Sequence, residues 1–158
     1  MKTAAYVVRV PHAQHRAFAV QCTVLDHSLM VWAGAAPRSL GDEDDEEVRA
    51  AMQAAGRDES THVPARLADD WGVAMNRGGS GNVRATTGTA LYRANTSVAM
   101  AQRIAAKLGI PQVFLSLDLP DALLASGAVQ MAPEDARALQ ALEVGLRRVC
   151  EMALRGEK

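Results

Sequence analysis

The feature that most constrains the fold is an alternation of apolar with smaller or polar residues between positions 16 and 25. Side chains of a β-strand point to opposite faces in turn, so this alternation indicates a strand with one buried face. The apolar residues occupy the even positions: Phe18, Val20, Cys22 and Val24. We therefore expect a strand that buries this face and presents an amphipathic face on its other side.

A second apolar run begins at Leu29, and polar residues at positions 26 and 27 separate it from the first run. Two strand patterns joined by a short polar break are typical of a tight β-hairpin with about two residues in its turn. The predicted register pairs Val24 with Leu29 and Cys22 with Val31.

The same register predicts which residues share the other face of the hairpin. It places Trp32 beside Gln21 and Met30 beside Thr23. Large apolar side chains at the surface of a single domain often mark a protein contact. We predict that Gln21, Thr23, Met30 and Trp32 face a partner, although the same pattern also fits a second core layer under a loop.

Strand and helix patterns follow one another along the rest of the chain. Further strands are expected at 6–10, 67–76, 83–90 and 112–117. A first amphipathic helix has Asn95, Thr96 or Ser97 as its N-cap and ends at Gly109. A second helix begins at Pro133 and carries a stripe of leucines.

These elements predict an α+β fold, with a mainly antiparallel sheet of about six strands and two helices packed on one face. The amphipathic face opposite the helices must meet water or be buried against another subunit. Residues 38–66 interrupt the pattern, and their acidic run at 42–47 repels itself too strongly to pack in a core. We expect a single domain over residues 1–158 with a flexible insertion at 38–66, in which a short helix at 46–55 is the alternative.

Charge and cysteine content narrow the class of partner. The chain has 17 Lys and Arg residues against 18 Asp and Glu residues, a formal net charge of -1. This balance gives no electrostatic reason to expect nucleic acid or an anionic membrane as a partner. Cys22 and Cys150 are too few for a disulfide framework, and we expect two reduced core thiols in an intracellular protein.

No group of residues predicts catalysis, a cofactor or a metal site. The glycine-rich segment 78–81 can offer amides to a phosphate, but a phosphate loop carries a lysine and leads into a helix rather than a strand. His12 and His15 lack the further ligands of a zinc site, and no serine has a neighbouring base. We therefore expect no enzyme, and keep phosphate binding at 78–81 as a rival hypothesis.

Three blocks of sequence resemble, in order, the corresponding blocks of the proteasome assembly chaperone 4 family. They are HSLMVWAGAAP at 27–37, WGVAMN at 71–76 and TSVAMAQRIAAKLGIPQVFLSLDL at 96–119. The third block is the most specific, because it joins a capped helix to the strand that begins at Gln112. The resemblance runs from Arg16 to Leu154 with gaps, and the long acidic segment after Pro37 departs from the family pattern.

The resemblance implies a non-enzymatic chaperone that promotes assembly of the α-ring of the proteasome core particle, in the cytoplasm and also in the nucleus. It implies a heterodimer with a proteasome assembly chaperone 3-like protein through sheet surfaces, and contact with proteasome α-subunits. A homodimer in the absence of that partner stays open. The alternative is a small profilin- or roadblock-like regulatory scaffold that dimerises through its sheet, which would co-purify with actin, motor or GTPase components instead of α-subunits.

Overall fold

A computed structural model describes residues 1–10, 17–36, 69–77, 85–93, 96–124 and 131–156. These residues form one six-stranded sheet and three helices. The strands are β1 (Lys2–Arg9), β2 (Ala17–Leu25), β3 (Ser28–Ala35), β4 (Asp70–Arg77), β5 (Ala85–Tyr92) and β6 (Gln112–Asp118). The helices are α1 (Thr96–Leu108), the one-turn α2 (Asp121–Leu124) and α3 (Pro133–Arg155).

The strands lie in the order β1-β2-β3-β6-β4-β5. All neighbouring strands are antiparallel except β3 and β6, which are parallel. The predicted α+β class and mainly antiparallel six-stranded sheet are therefore confirmed. The strand β1 begins at Lys2, earlier than the position 6 expected from the sequence.

Both long helices pack on one face of the sheet, which we call the helix face. A Cβ atom added to Gly72 of β4 would lie 2.6 Å from Val98 Cγ2 of α1, and one added to Gly145 of α3 would lie 2.7 Å from Val8 Cγ2 of β1. Gly72 and Val8 have the same orientation in the sheet as the core residues Leu115 and Phe18 with which they pair. The prediction of two helices on one face is confirmed, and the short α2 is a third helix.

The β2–β3 hairpin has the predicted register. Val24 pairs with Leu29 and Cys22 pairs with Val31, and the turn consists of Asp26 and His27. His27, the second residue of the turn, adopts a φ of 53° in the left-handed region. The apolar face of the hairpin is closed, because Cys22 and Leu29 are both 0 % exposed in the core beneath the helices.

A residue distant in sequence caps the first helix. Asp70 Oδ2 accepts hydrogen bonds from the backbone N–H groups of Thr96 (3.0 Å) and Ser97 (3.1 Å), and Ser97 Oγ donates to Asp70 Oδ1. The sequence suggested a local N-cap at Asn95, Thr96 or Ser97 and so missed the acceptor. The end of the helix is as predicted, since Gly109 adopts a φ of 66° and the N–H of Ile110 donates to the carbonyl of Ala105.

Several expectations concern residues outside the described ranges. They are the insertion at 38–66 with its acidic run at 42–47, the alternative helix at 46–55, the glycine-rich segment 78–81, and His12 and His15. Among the helices that the structure describes, none combines the length and apolar character needed to cross a membrane.

Candidate partner-binding surface

The sheet face opposite the helices, which we call the open face, carries the candidate site. On β3 and β4 its side chains alternate with residues of the helix-covered core. Met30 is 45 % exposed, whereas its neighbour Val31 is 1 % exposed, and Met75 is 49 % exposed beside the fully buried Ala74. The described helices all lie on the other side, so these apolar side chains face outward.

One row of residues crosses the open face over four adjacent strands, and we call it the tryptophan row. Gln21 pairs with Trp32, Trp32 with Ser116, and Ser116 with Trp71. Gln21 is exposed, and both tryptophans are half-buried. The chain has two tryptophans in all, so both of its largest aromatic side chains lie on this face.

A second row, which we call the methionine row, runs parallel to the first. Thr23 pairs with Met30, Met30 with Phe114, and Phe114 with Val73. Thr23 Oγ1 lies 3.0 Å from Thr3 Oγ1 of β1, which continues the row to the edge of the sheet. The two rows contain no ionisable side chain, so a partner can cover them without desolvating a charge.

The position of Trp32 depends on a glycine two residues further along β3. A Cβ atom on Gly34 would lie 2.6 Å from Trp32 Cζ2 and Cη2, so the indole ring lies along the strand and over Gly34. Gly34 is buried as a result, and so is Ala19, which pairs with it across β2 and is 6 % exposed. The segment Trp32-Ala33-Gly34 therefore holds a flat aromatic surface against the open face.

The structure brings together all four residues predicted to face a partner. Gln21 and Trp32 are adjacent members of the tryptophan row, and Thr23 and Met30 are adjacent members of the methionine row. No partner is present, so their role in binding stays a prediction. Sequence reasoning did not place Phe114 and Trp71 in the same surface. Each of them occupies one of the alternate positions of its strand whose side chains lie on the open face.

A buried polar contact on the helix face holds β4, one of the strands of the open face, in place. Asp70 is 4 % exposed and Ser97 is 0 % exposed, and their hydrogen bonds attach the beginning of β4 to the beginning of α1. A carboxylate at a helix N-terminus also interacts favourably with the helix dipole. This contact fixes the strand that presents Trp71, the residue directly after Asp70.

The two cysteines lie in the core and do not form a reactive site. Cys22 of β2 and Cys150 of α3 are free and 0 % exposed. The Cys150 thiol donates a hydrogen bond to Cys22, and this bond together with burial raises the pKa of Cys150 far above its ordinary value, while the same bond lowers the pKa of Cys22. Because a neutral thiol is a poor nucleophile, Cys150 packs as a small apolar side chain.

Among the described residues, no cluster of three or more histidine, cysteine, aspartate or glutamate side chains is arranged to hold a metal ion. The geometry that stands out is a flat and partly apolar face whose two rows carry no charge, rather than a pocket of polar groups. Such a face can bury itself against another polypeptide.

Comparison with known proteins gives one family. The family model described as proteasome assembly chaperone 4 matches residues 17–119, about two thirds of the 158-residue chain. No curated protein matches the sequence at a significant level. The matched range contains β2 to β6 and α1, which include both rows of the open face from Gln21 to Ser116. The chain therefore belongs to the proteasome assembly chaperone 4 family, a family of chaperones that act in proteasome assembly.

Proposed function

We propose that this chain is a non-enzymatic chaperone that promotes assembly of the α-ring of the proteasome core particle as one half of a heterodimer. A proteasome assembly chaperone 3-like protein covers the open face, and the pair binds proteasome α-subunits. The observation that carries the proposal is the open face itself, where Met30, Trp32, Phe114 and Trp71 stand together on the side of the sheet away from the helices.

The composition of this face suits a stable protein contact. Tryptophan is enriched among the residues that dominate binding energy, and methionine adapts its shape to the surface it meets. Burying apolar area contributes roughly 25 cal/mol per Å², so half-exposed side chains such as Met30 and Trp32 still have free energy to gain from a partner. Truncation of one central aromatic residue in such a contact typically weakens binding by about 2–4 kcal/mol.

The mechanism we propose is templating by a rigid surface. The heterodimer binds an exposed surface of the α-subunits and so prevents wrong contacts while the ring forms. Release follows when incoming subunits compete for the same area, and it requires no nucleotide. We place the protein in the cytoplasm and also in the nucleus, and a homodimer in the absence of the partner stays open.

Affinity purification of the tagged chain from its own cells tests the proposal. We expect a second small chaperone-like chain and free α-subunits to elute with it, with mature proteasome largely absent. Recovery of actin, motor or GTPase components instead would support a profilin- or roadblock-like scaffold. Recovery of the chain without either group of proteins would contradict the proposal.

Two pairs of variants connect that result to the open face. Met30→Lys places a charge in the methionine row, whereas Gln140→Lys places the same charge on an exposed position of α3. Trp32→Ala removes the indole, and Arg148→Ala removes a large exposed side chain from α3. We expect Met30→Lys and Trp32→Ala to lose the partner chain, while the two α3 variants retain it. Equal recovery by all four folded variants would exclude the open face as the contact.

A further inference from the structure

The two edges of the sheet differ in how they are protected against pairing with another strand. The edge strand β1 carries a charged residue at each end, Lys2 and Arg9. The edge strand β5, with the sequence ATTGTALY, carries none. Charged side chains on an edge strand oppose pairing with a further chain, and an uncharged edge permits it.

The side chains of β5 are also accessible. Thr87, Thr89 and Ala90 are exposed, and the next two residues, Leu91 and Tyr92, are 45 % and 50 % exposed. Within the described residues β5 pairs with β4 alone, so the backbone N–H and C=O groups on its outer side have no strand beside them. A threonine-rich segment has high β-propensity, which favours the addition of a strand at this edge.

We propose that β5 is a second association site of this chain, at which it binds another copy of itself by antiparallel pairing of the two β5 strands. A two-fold axis at Thr89 gives the best register. It places Thr89 opposite Thr89 of the second copy and Gly88 opposite Ala90, and the regular pairing ends before Leu91, where β5 has one residue more than β4. A threonine pair is favourable across antiparallel strands, and the small residues Gly88 and Ala90 permit close approach.

Charge distinguishes this pairing from its alternative at the other edge. The residues next to Thr89 carry no charge, and Arg93 of each copy lies beyond the end of the strand, so no like charges meet within the regular part of the pairing. Antiparallel pairing of two β1 strands over their full length would place Lys2 opposite Arg9 at both ends of the interface. Like charges directly opposite each other destabilise a strand pair, which leaves β5 as the edge that accepts a copy.

The paired sheets would form one continuous sheet of two copies. A two-fold axis perpendicular to the sheet keeps the helices of both copies on one side and both open faces on the other. The open face of each copy stays free to bind its own partner. This association is therefore independent of the proposed chaperone function and concerns a different surface.

Sedimentation velocity of the full chain over about 10–500 µM tests the pairing, since a contact of one strand per copy belongs to the small and weak class of interfaces. Ala90 is exposed on the helix-face side of β5, opposite Gly72, so a change there does not alter the open face. We expect Ala90→Lys to raise the dimer dissociation constant about tenfold, because each copy contributes one lysine and the interface therefore contains two added charges. The neutral control Ala90→Ser and the open-face variant Met30→Lys should leave the constant unchanged.

Hydrogen exchange of the unmodified chain gives a readout that needs no variant. Alternate β5 amides, those that point away from β4, should exchange more slowly as concentration rises, whereas β1 amides should not change. A chain that is monomeric throughout this range, or a dimer whose constant responds to Met30→Lys and not to Ala90→Lys, would overturn the proposal. Protection of β1 instead of β5 would overturn it as well.

Discussion

The two faces of the sheet are made by the same strands and yet differ in what covers them. On the helix face, Leu115 is 0 % exposed and packs in the core, while its neighbour Phe114 is half-buried on the open face. The helix face is closed by α1 and α3, and its residues determine whether the chain folds. The open face contributes less to folding, so its apolar side chains are available for a second purpose.

The largest expected difference between the faces comes from two adjacent residues of β6. Leu115→Ala should lower the free energy of unfolding by about 2–5 kcal/mol, because it leaves a cavity in a fully buried position. Phe114→Ala should cost less than half as much and should instead weaken binding of the partner. Urea denaturation and a binding titration measure both quantities. Equal losses of stability in the two variants would remove the distinction between the faces.

The next effect concerns the contact that holds β4 against α1. Asp70→Ala should lower the free energy of unfolding by about 1–3 kcal/mol, because it leaves the amides of Thr96 and Ser97 without their acceptor. Asp70→Asn keeps one acceptor oxygen and should recover part of the loss. The comparison is made by thermal and urea unfolding of the three proteins. An Asp70→Ala protein as stable as the unmodified chain would show that the contact is dispensable.

A smaller effect is expected where α3 approaches β1. Gly145→Ala should lower the free energy of unfolding by about 1–2 kcal/mol, because the new methyl group meets the stiff side chain of Val8 even though alanine favours the helix by about 1 kcal/mol. In the Val8→Ala background the same change should be neutral or stabilising. A double-mutant cycle measures this coupling. An equal effect of Gly145→Ala in both backgrounds would contradict close packing at this point.

The smallest effect should come from the outer surface of the helices. Arg103 of α1 donates two hydrogen bonds to Glu143 of α3, from Nε (2.5 Å) and Nη2 (2.8 Å), and this pairing raises the pKa of Arg103. Because Arg103 is more than half exposed, Arg103→Ala should cost only about 0.2–1 kcal/mol, and the difference should shrink as salt is added. A loss that does not depend on salt would indicate packing rather than charge.

The alternation in the sequence predicted the local part of this fold. It gave the β2–β3 register and the separation of Cys22 and Val31 from Gln21 and Trp32, because a hairpin with a two-residue turn leaves no other pairing that keeps one face apolar. The terminating Gly109 followed from an equally local rule.

The strand order could not be predicted in the same way. The parallel pairing of β3 with β6 joins residues far apart in the chain. The sequence of residues 37–68, between β3 and β4, contains no turn motif from which the position of β4 in the sheet could be predicted. Phe114 and Trp71 were therefore not recognised as neighbours of Met30 and Trp32. Their parity within each strand was visible, but their position in the sheet depends on these long-range pairings.

Two side-chain roles were missed because they depend on tertiary approach. Asp70 caps a helix that begins 26 residues later, whereas capping rules read only the residues next to the helix. Helix propensity alone counts Gly145 as a cost to α3, whereas the structure shows that it permits contact with Val8. Each role requires knowledge of which strand lies against which helix end.

The measurement that tests the account most directly is ¹⁹F NMR of the chain labelled with 5-fluorotryptophan. The chain has two tryptophans, Trp32 and Trp71, and both lie on the open face, so the spectrum has two signals that Trp32→Phe and Trp71→Phe assign. Titration with the small chaperone-like chain that co-purifies should shift both signals and reduce their sensitivity to exchange of H₂O for D₂O. A stoichiometric complex in which both signals keep their position and solvent sensitivity would show that the partner does not cover the open face.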